Sequence, residues 1–409
     1  MPTTAQGLRS QAVLATNREV LDVAEGIHLL NAYENPATYI FMMVNQGSSG
    51  AVQHNWFDSE LQPTNNEISG ECSASEVTIT VDNIARYAIG DVCMVENSGK
   101  EVVFVTAVSG AGDSAGQLTV IRDYGQGDST PGYTARAAII ADTTKLKIIG
   151  NAFEQGFKLP TIKNVQEVQY YNFCQTQRTP YGVTDIVAAA KHYGENDLAL
   201  MKRSKAADHT AKVENQNLWG VPAKGDQGAS SSGTGNDSAS TAGGLYYYIS
   251  AYSGSDRVVN AGAIAMSEFM TFLEAGFEYG SKTKILLCPP ILRTAFDTWG
   301  LTKMNSFTES NQFGIAVEKW VSAHGTIKII THKMLTPDAA SDGATAFLID
   351  LPNVKFITYS DIGSTREKVL DPYGATGETA QKGEFQTISC LEMRSFPTHG
   401  MLYNITSVS

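Results

Sequence analysis

The chain has 409 residues, of which 42% are hydrophobic, enough for substantial cores and too many for a disordered chain. Lys and Arg total 30 against 42 Asp and Glu, a net charge of -12 that leaves no chain-wide basic footprint for general nucleic-acid binding. Charged residues make up only 18%, against about 25% in an ordinary soluble protein, as if much of the surface were not meant to face water.

The charge is uneven along the chain. Residues 1–70 carry -5, 71–150 carry -4, 151–224 carry +2 and 225–409 carry -5. The first stretch reads as an arm, with an amphipathic helix expected over Gln11 to Leu30 and a break at Pro36 and the Gly47-Ser48-Ser49-Gly50 run. Residues 76–149 read as all-β. Val77, Ile79 and Val81 alternate with polar residues, and Asn97-Ser98-Gly99-Lys100 is a hairpin turn between Val92–Val95 and Val102–Val108. Further strands are predicted at Leu118–Arg122 and Leu146–Ile149. An isolated hairpin is marginal in water, so this insert must close into a small barrel or lie on another subunit.

A long helix is predicted from the N-cap Asn196 to Gly220, with a thin apolar stripe of Leu200, Ala207, Ala211 and Leu218. Gly225 to Gly244 is a Gly/Ser-rich loop. An α/β pattern follows: a helix behind the N-cap Ser267, a buried strand Lys284–Cys288, and a helix opened by Pro289-Pro290 that runs through Trp299. Strands are expected at Ile315–Val321, Ile327–Thr331, Ala346–Asp350 and Val354–Tyr359, and the stretch from Glu384 to Val408 returns to β.

Chemistry is sparse. Five scattered cysteines without a C-x-x-C pair read as reduced thiols of a cytosolic compartment. Seven histidines show no metal-ligand spacing, and no G-x-S-x-G elbow is present. No cofactor is expected. The stretch Gly276 to Thr283 imitates a phosphate-binding loop, but Ser281 separates Gly280 from Lys282, and a helix precedes where a strand should; a helix C-cap at Gly280 with a solvated Lys282 is the better reading. Asp58 and Glu60, beside Trp56, fit turn chemistry better than an acid–base pair. The basic cluster Lys202, Arg203 and Lys205 is read as a solvated helix face, with a nonspecific phosphate contact as the sharper alternative. There is no signal-peptide pattern, and the apolar run Tyr39 to Val44 is far short of the about 20 residues of a membrane span, so no membrane partner is expected.

The order of arm, β insert, long helix, Gly/Ser loop, α/β unit and returning strands resembles the major capsid proteins of tailed bacteriophages, with the α+β Hong Kong ninety-seven capsid fold. Local landmarks are similar to the SU-ten-like major capsid family. They are Arg18-Glu19-Val20-Leu21-Asp22-Val23, Asn35-Pro36-Ala37-Thr38, His54-Asn55-Trp56-Phe57-Asp58-Ser59-Glu60-Leu61 (its acid and Leu displaced from the family spacing), Asn172-Phe173-Cys174-Gln175, Thr241-Ala242-Gly243-Gly244, Cys288-Pro289-Pro290, Phe313-Gly314 and Pro397-Thr398-His399. The resemblance implies an N-terminal arm and lead-in over 1–75, a β-rich E-loop insert over 76–150 and a peripheral domain with its spine helix over 151–224. It further implies the flexible loop 225–244, an axial domain over 245–369, and return strands to the peripheral domain over 370–409.

It also implies a non-enzymatic shell protein, made in the host cytoplasm, whose pentamers and hexamers tile an icosahedral head around double-stranded DNA without sequence-specific contact. Trp56, Phe57, Leu14 and Leu21 are the expected inter-subunit anchors, with intrachain packing as the alternative for each. Lys100 is the one residue to test for inter-subunit cross-linking. The chain opens directly on the arm, so a separate scaffolding protein is expected, beside a portal and a decoration protein. The competing readings are an encapsulin-like cargo shell, a phage tail-tube or adhesin-like protein, and a hydrolase.

Overall fold

The computed structural model describes residues 36–59, 65–96, 100–110, 112, 114–125, 139–156, 166–190, 196–224, 239–303, 308–312, 315–337, 343–360, 365–370 and 380–408. The chain divides into two compact units, residues 57–169 and the rest.

The smaller unit is a closed antiparallel barrel. Its six strands follow the order Asn65–Glu67, Lys145–Asn151, Asp91–Val95, Val102–Ser109, Gly116–Ile121 and Thr78–Val81. The last of these pairs back to the first: Ser69 N–H donates to the Thr80 carbonyl at 2.9 Å, and Asp82 N–H to the Glu67 carbonyl at 3.1 Å. The alternation read from the sequence now has a cause, because inward positions fill the core with Ile79, Val81, Cys93, Val95, Val103, Val105, Leu118, Val120 and Leu146. Bulges at Val92/Cys93 and Val105/Ala107 supply the bend that closure needs. Gly116 permits the tight corner, since a Cβ there would lie 2.6 Å from the Ile84 Cβ. Glu101, fully buried, is held bidentately by Arg122 at 2.5 and 2.8 Å. The barrel begins at Asn65, eleven residues before the start read from the sequence.

The two large sheets lie in the larger unit. A seven-stranded mixed sheet has the order Val258–Ile264, Gly400–Val408, Ala344–Ile349, Thr283–Cys288, Thr326–Thr331, Ile315–Val321 and Thr308–Gln312. Helices Met266–Gly276 and Pro290–Lys303 pack onto it through Phe269, Phe272, Phe296 and Trp299; Phe269 stacks on Trp320 and Phe296 meets it edge-on. A five-stranded sheet joins Gln46–Ser49, Val354–Tyr359, Ala380–Met393 and Gln175–Thr184, with Arg366–Leu370 also on Ala380–Met393.

Four sequence readings need correction. The chain changes sheets at Val354, before the boundary read at 370, and the closing strand Gly400–Val408 goes back to the seven-stranded sheet. The long helix Asp197–Trp219 does start behind Asn196, whose Oδ1 accepts from Leu198 N–H at 2.9 Å. Its buried face, however, is His209, Val213, Glu214, Gln216, Asn217 and Leu218; of the expected stripe only Leu218 is fully buried. The helix at Met266 is capped at Ala265, whose N–H donates to Glu268, and Ser267 lies inside it. Gly280 is not a helix cap: the helix ends at Gly276, and Gly280 has φ +83° in the following turn, against Asp350 and Thr398.

Leu118→Ala should lower the barrel's unfolding free energy by about 3 kcal/mol, because Leu118 has 0% exposure at the centre of a closed core. Denaturant unfolding followed by a barrel-specific probe checks this; a change below about 1 kcal/mol would contradict a sealed core.

Candidate assembly site

The helix Pro36–Val44 begins with backbone N–H groups that have no partner inside the helix. Glu214, fully buried on the long helix, takes them: its Oε1 accepts from Ala37 N–H at 3.0 Å and its Oε2 from Thr38 N–H at 2.8 Å. The Thr38 hydroxyl also donates to Glu214 and in turn accepts from Asn217 Nδ2 at 2.9 Å. His332 completes the set. Its Nδ1 accepts from Met334 N–H, so the ring proton sits on Nε2, which donates to Glu214 Oε1 at 2.6 Å. Four donors therefore converge on one carboxylate at the positive end of a helix dipole. Beneath them Ala37, Ile40 and Phe41 enter the core with Val213, Leu218 and Leu245. The opposite face of the same helix leaves Tyr39 54% and Met43 55% exposed.

A second polar seam lies at Trp56. Trp56 is 3% exposed and is enclosed by Tyr170 and Tyr248, with His54 stacked at 6.0 Å. His54 Nε2 meets Glu392 Oε2 at 2.7 Å, and Arg394 Nε donates to Glu392 Oε1 at 2.5 Å. Burial pushes the Glu392 carboxyl up, but the His54 hydrogen bond and the Arg394 and Lys355 charges outweigh it and hold the group below its usual range. Trp56 is thus spent on intrachain packing and has no surface left to anchor a neighbour.

The other sequence candidates separate cleanly. Phe57, next in the chain, is 59% exposed. Leu14 and Leu21 lie outside the described residues, as does most of the turn before Lys100; Lys100 itself is exposed with φ +48°. Lys202 pairs with Glu367 at 2.8 Å, Lys205 with Asp208 at 2.9 Å, and the Tyr181 hydroxyl also donates to Glu367. These two lysines are neutralised within the chain, which favours the solvated-face reading over a phosphate contact.

Lys282 gives the apparent phosphate loop no function, but Lys284 does something sequence reasoning missed. It is 1% exposed and donates to the carbonyls of Gly276, Tyr279 and Thr398 at 2.5, 2.9 and 2.6 Å. Burial pulls its pKa down to about 8, partly opposed by Asp350. Nearby, His399 accepts from Asp350 N–H on Nδ1 and donates from Nε2 to the Arg394 carbonyl, and burial lowers its pKa to about 4. No group of three or more His, Cys, Asp or Glu suited to a metal occurs among the described residues. None of the described helices is long and apolar enough to cross a membrane. Two open grooves, of about 620 and 480 Å³, flank the long helix at Asn215 and Trp219; neither gathers an acid, base and nucleophile.

A sequence profile described as SU10 major capsid protein matches residues 3–406. The chain is 24% identical to the major capsid protein of Pseudomonas phage PaMx41 over 358 residues, covering 85% of this chain and 79% of the relative. Among solved structures, the capsid of a native GTA particle is similar at TM-score 0.45 and 10% identity, covering 98% of this chain and 100% of the other. The holo-SrpI encapsulin of Synechococcus elongatus PCC 7942 is similar at TM-score 0.43 and 10% identity, covering 59% of this chain and 78% of the other.

Glu214→Ala should destabilise the larger unit by about 3 kcal/mol or more in urea unfolding, since it orphans two backbone donors and His332. A loss under about 1 kcal/mol would show the clamp to be dispensable. A pH series tests His399. Neutral in the fold, it contributes fully above its unfolded pKa of about 6.5 and loses about 3 kcal/mol as pH falls towards 4. His399→Gln should flatten that part of the stability–pH curve; an unchanged slope would assign the acid sensitivity elsewhere.

Proposed function

Because the chain belongs to the SU10 major capsid protein family, whose profile spans residues 3–406, we propose that its work is self-association through surfaces that the fold leaves apolar and uncharged. The protein is a phage major capsid protein, and copies of it form the virion shell. In our reading that shell is icosahedral, built of pentamers and hexamers, and assembled in the host cytoplasm around a separate scaffolding protein, with a portal and a decoration protein as further partners. No catalytic step is assigned to the chain.

The observation that carries the proposal is the two-faced helix Pro36–Val44. Its inner face is locked by Glu214, while Tyr39 and Met43, one turn apart, stand more than half exposed. A residue held rigidly before contact loses little further freedom on binding, which favours association. Phe57 is a second large apolar side chain of this kind, at 59% exposure. Charge-poor surface suits such contacts, since interface cores are depleted in charged residues. Packaged DNA is contained rather than read: the net charge of -12 repels it, and two lysines of the basic helix face are already paired.

Sizing and negative-stain imaging of the purified protein test the reading. Closed shells of megadalton mass support it; tubes would support a tail protein, and a stable monomer would falsify it. Within assembling protein, Tyr39→Ser with Met43→Ser should raise the critical assembly concentration at least about tenfold while monomer stability changes by less than about 1 kcal/mol. Equal assembly of the double variant would remove this helix face from the interface.

A further inference from the structure

The five-stranded sheet contains a feature that shell building does not use. Gln175 faces Ser389 and Thr176 faces Ile388 across the antiparallel pair, so Cys174 and Cys390 stand opposite one another one step further on. Their sulfurs are 3.4 Å apart, with Cys174 2% and Cys390 0% exposed, in an apolar pocket shared with Ala242 and Ile357. Both are free thiols. Facing residues of an antiparallel pair have Cα atoms about 4.5–5.5 Å apart, inside the range a disulfide spans, and closing the bond asks each sulfur to move by less than about 1 Å.

We propose that Cys174 and Cys390 form a preset disulfide site, which a small diffusible peroxide converts into a covalent bond between the strands Gln175–Thr184 and Ala380–Met393. The two thiols have unequal roles. The two sulfurs are in hydrogen-bond contact and either can donate; with Cys390 as donor the bond lowers the Cys174 pKa against the opposing effect of burial and raises that of Cys390. Cys174, which sits at the end of its strand while Cys390 lies inside Ala380–Met393, is the one an oxidant reaches first and acts as the nucleophile. Its thiolate attacks one oxygen of hydrogen peroxide and breaks the O–O bond, giving a sulfenic acid and, after protonation, water. The Cys390 sulfur then attacks the Cys174 sulfur, loses its proton and displaces the hydroxyl as a second water. Two thiols are oxidised and one peroxide is reduced to two waters.

Burial makes the first step slow, because the oxidant reaches Cys174 only when the strand end opens. The thiols accordingly persist where thiol reductants are abundant and close once the protein meets an oxidising medium. The bond would tie together positions 216 residues apart, a long loop whose closure restricts the unfolded chain. It would reinforce the finished protein without altering how it folds.

The test is a peptide map of the full-length chain. Reduced protein is treated with hydrogen peroxide, alkylated under denaturing conditions, digested and analysed by mass spectrometry. The expected result is a linked peptide pair containing Cys174 and Cys390, two hydrogens lighter than the free peptides. A rise in thermal midpoint of about 5 °C or more should accompany it and reverse with dithiothreitol. Cys390→Ala should abolish both changes and leave Cys174 to collect as sulfenic or sulfinic acid. Recovery of both cysteines as alkylated peptides, or links joining either one to a different cysteine, would overturn the proposal. So would sulfinic acid at Cys174 without any link in the unsubstituted chain. Should Cys390→Ala fail to fold, the map of the unsubstituted chain decides alone.

Discussion

A single buried carboxylate organises the larger unit. Placing an ion such as Glu214 out of water costs several kcal/mol unless donors replace its hydration, and here four do so. Each comes from an element that would otherwise be independent: the helix Pro36–Val44 at its N-terminus and the turn after Thr331 through His332. The long helix that supplies Glu214 adds Asn217 to hold Thr38. None of these can shift without leaving charge unpaired. That constraint fixes which face of the Pro36–Val44 helix is buried, and so which face remains for a partner.

The same logic governs the neighbouring seams. Glu392 beneath His54 and Arg394, and Lys284 among three carbonyls, are buried charges made tolerable by complete local partnering. Between the seams the cores are packed with aromatic rings: Phe269, Phe296 and Trp320 on one sheet, and Tyr248 with Phe396 near the other. The barrel separately solves the edge-strand problem by closing on itself, so its two end strands pair with each other rather than with a neighbour. At 18% charged residues, the 409-residue chain is charge-poor in the way that interface cores require.

Much of this architecture was legible in the residues, for identifiable reasons. Period-two alternation placed Thr78–Val81, and strong caps and breakers placed the long helix from Asp197 to Trp219. Val354–Tyr359 reads as a strand because five of its six residues are β-branched or aromatic. Its sheet was not, since nothing local says that a strand will leave the sheet of its predecessor. Glu214 and Asn217 were missed because polar residues at helical spacing read as solvent-facing, and their partners at Ala37 and Thr38 lie more than 170 positions away. The thiol pair was hidden likewise: scattered cysteines become neighbours only through register. Trp56 and Phe57 show the limit at its sharpest. Adjacent and both aromatic, they differ only in strand parity, which sends one into the core and the other out.

The central claim is that the helix Pro36–Val44 is held by its own chain before any neighbour arrives. Amide hydrogen exchange at Ala37 and Thr38 in unassembled protein addresses it directly. The clamp predicts protection at both amides comparable to that of the core strand Ala344–Ile349, because their hydrogens point at a fully buried carboxylate. Exchange at the rate of an unstructured segment, with protection appearing only on assembly, would contradict it and assign the order of this helix to the shell.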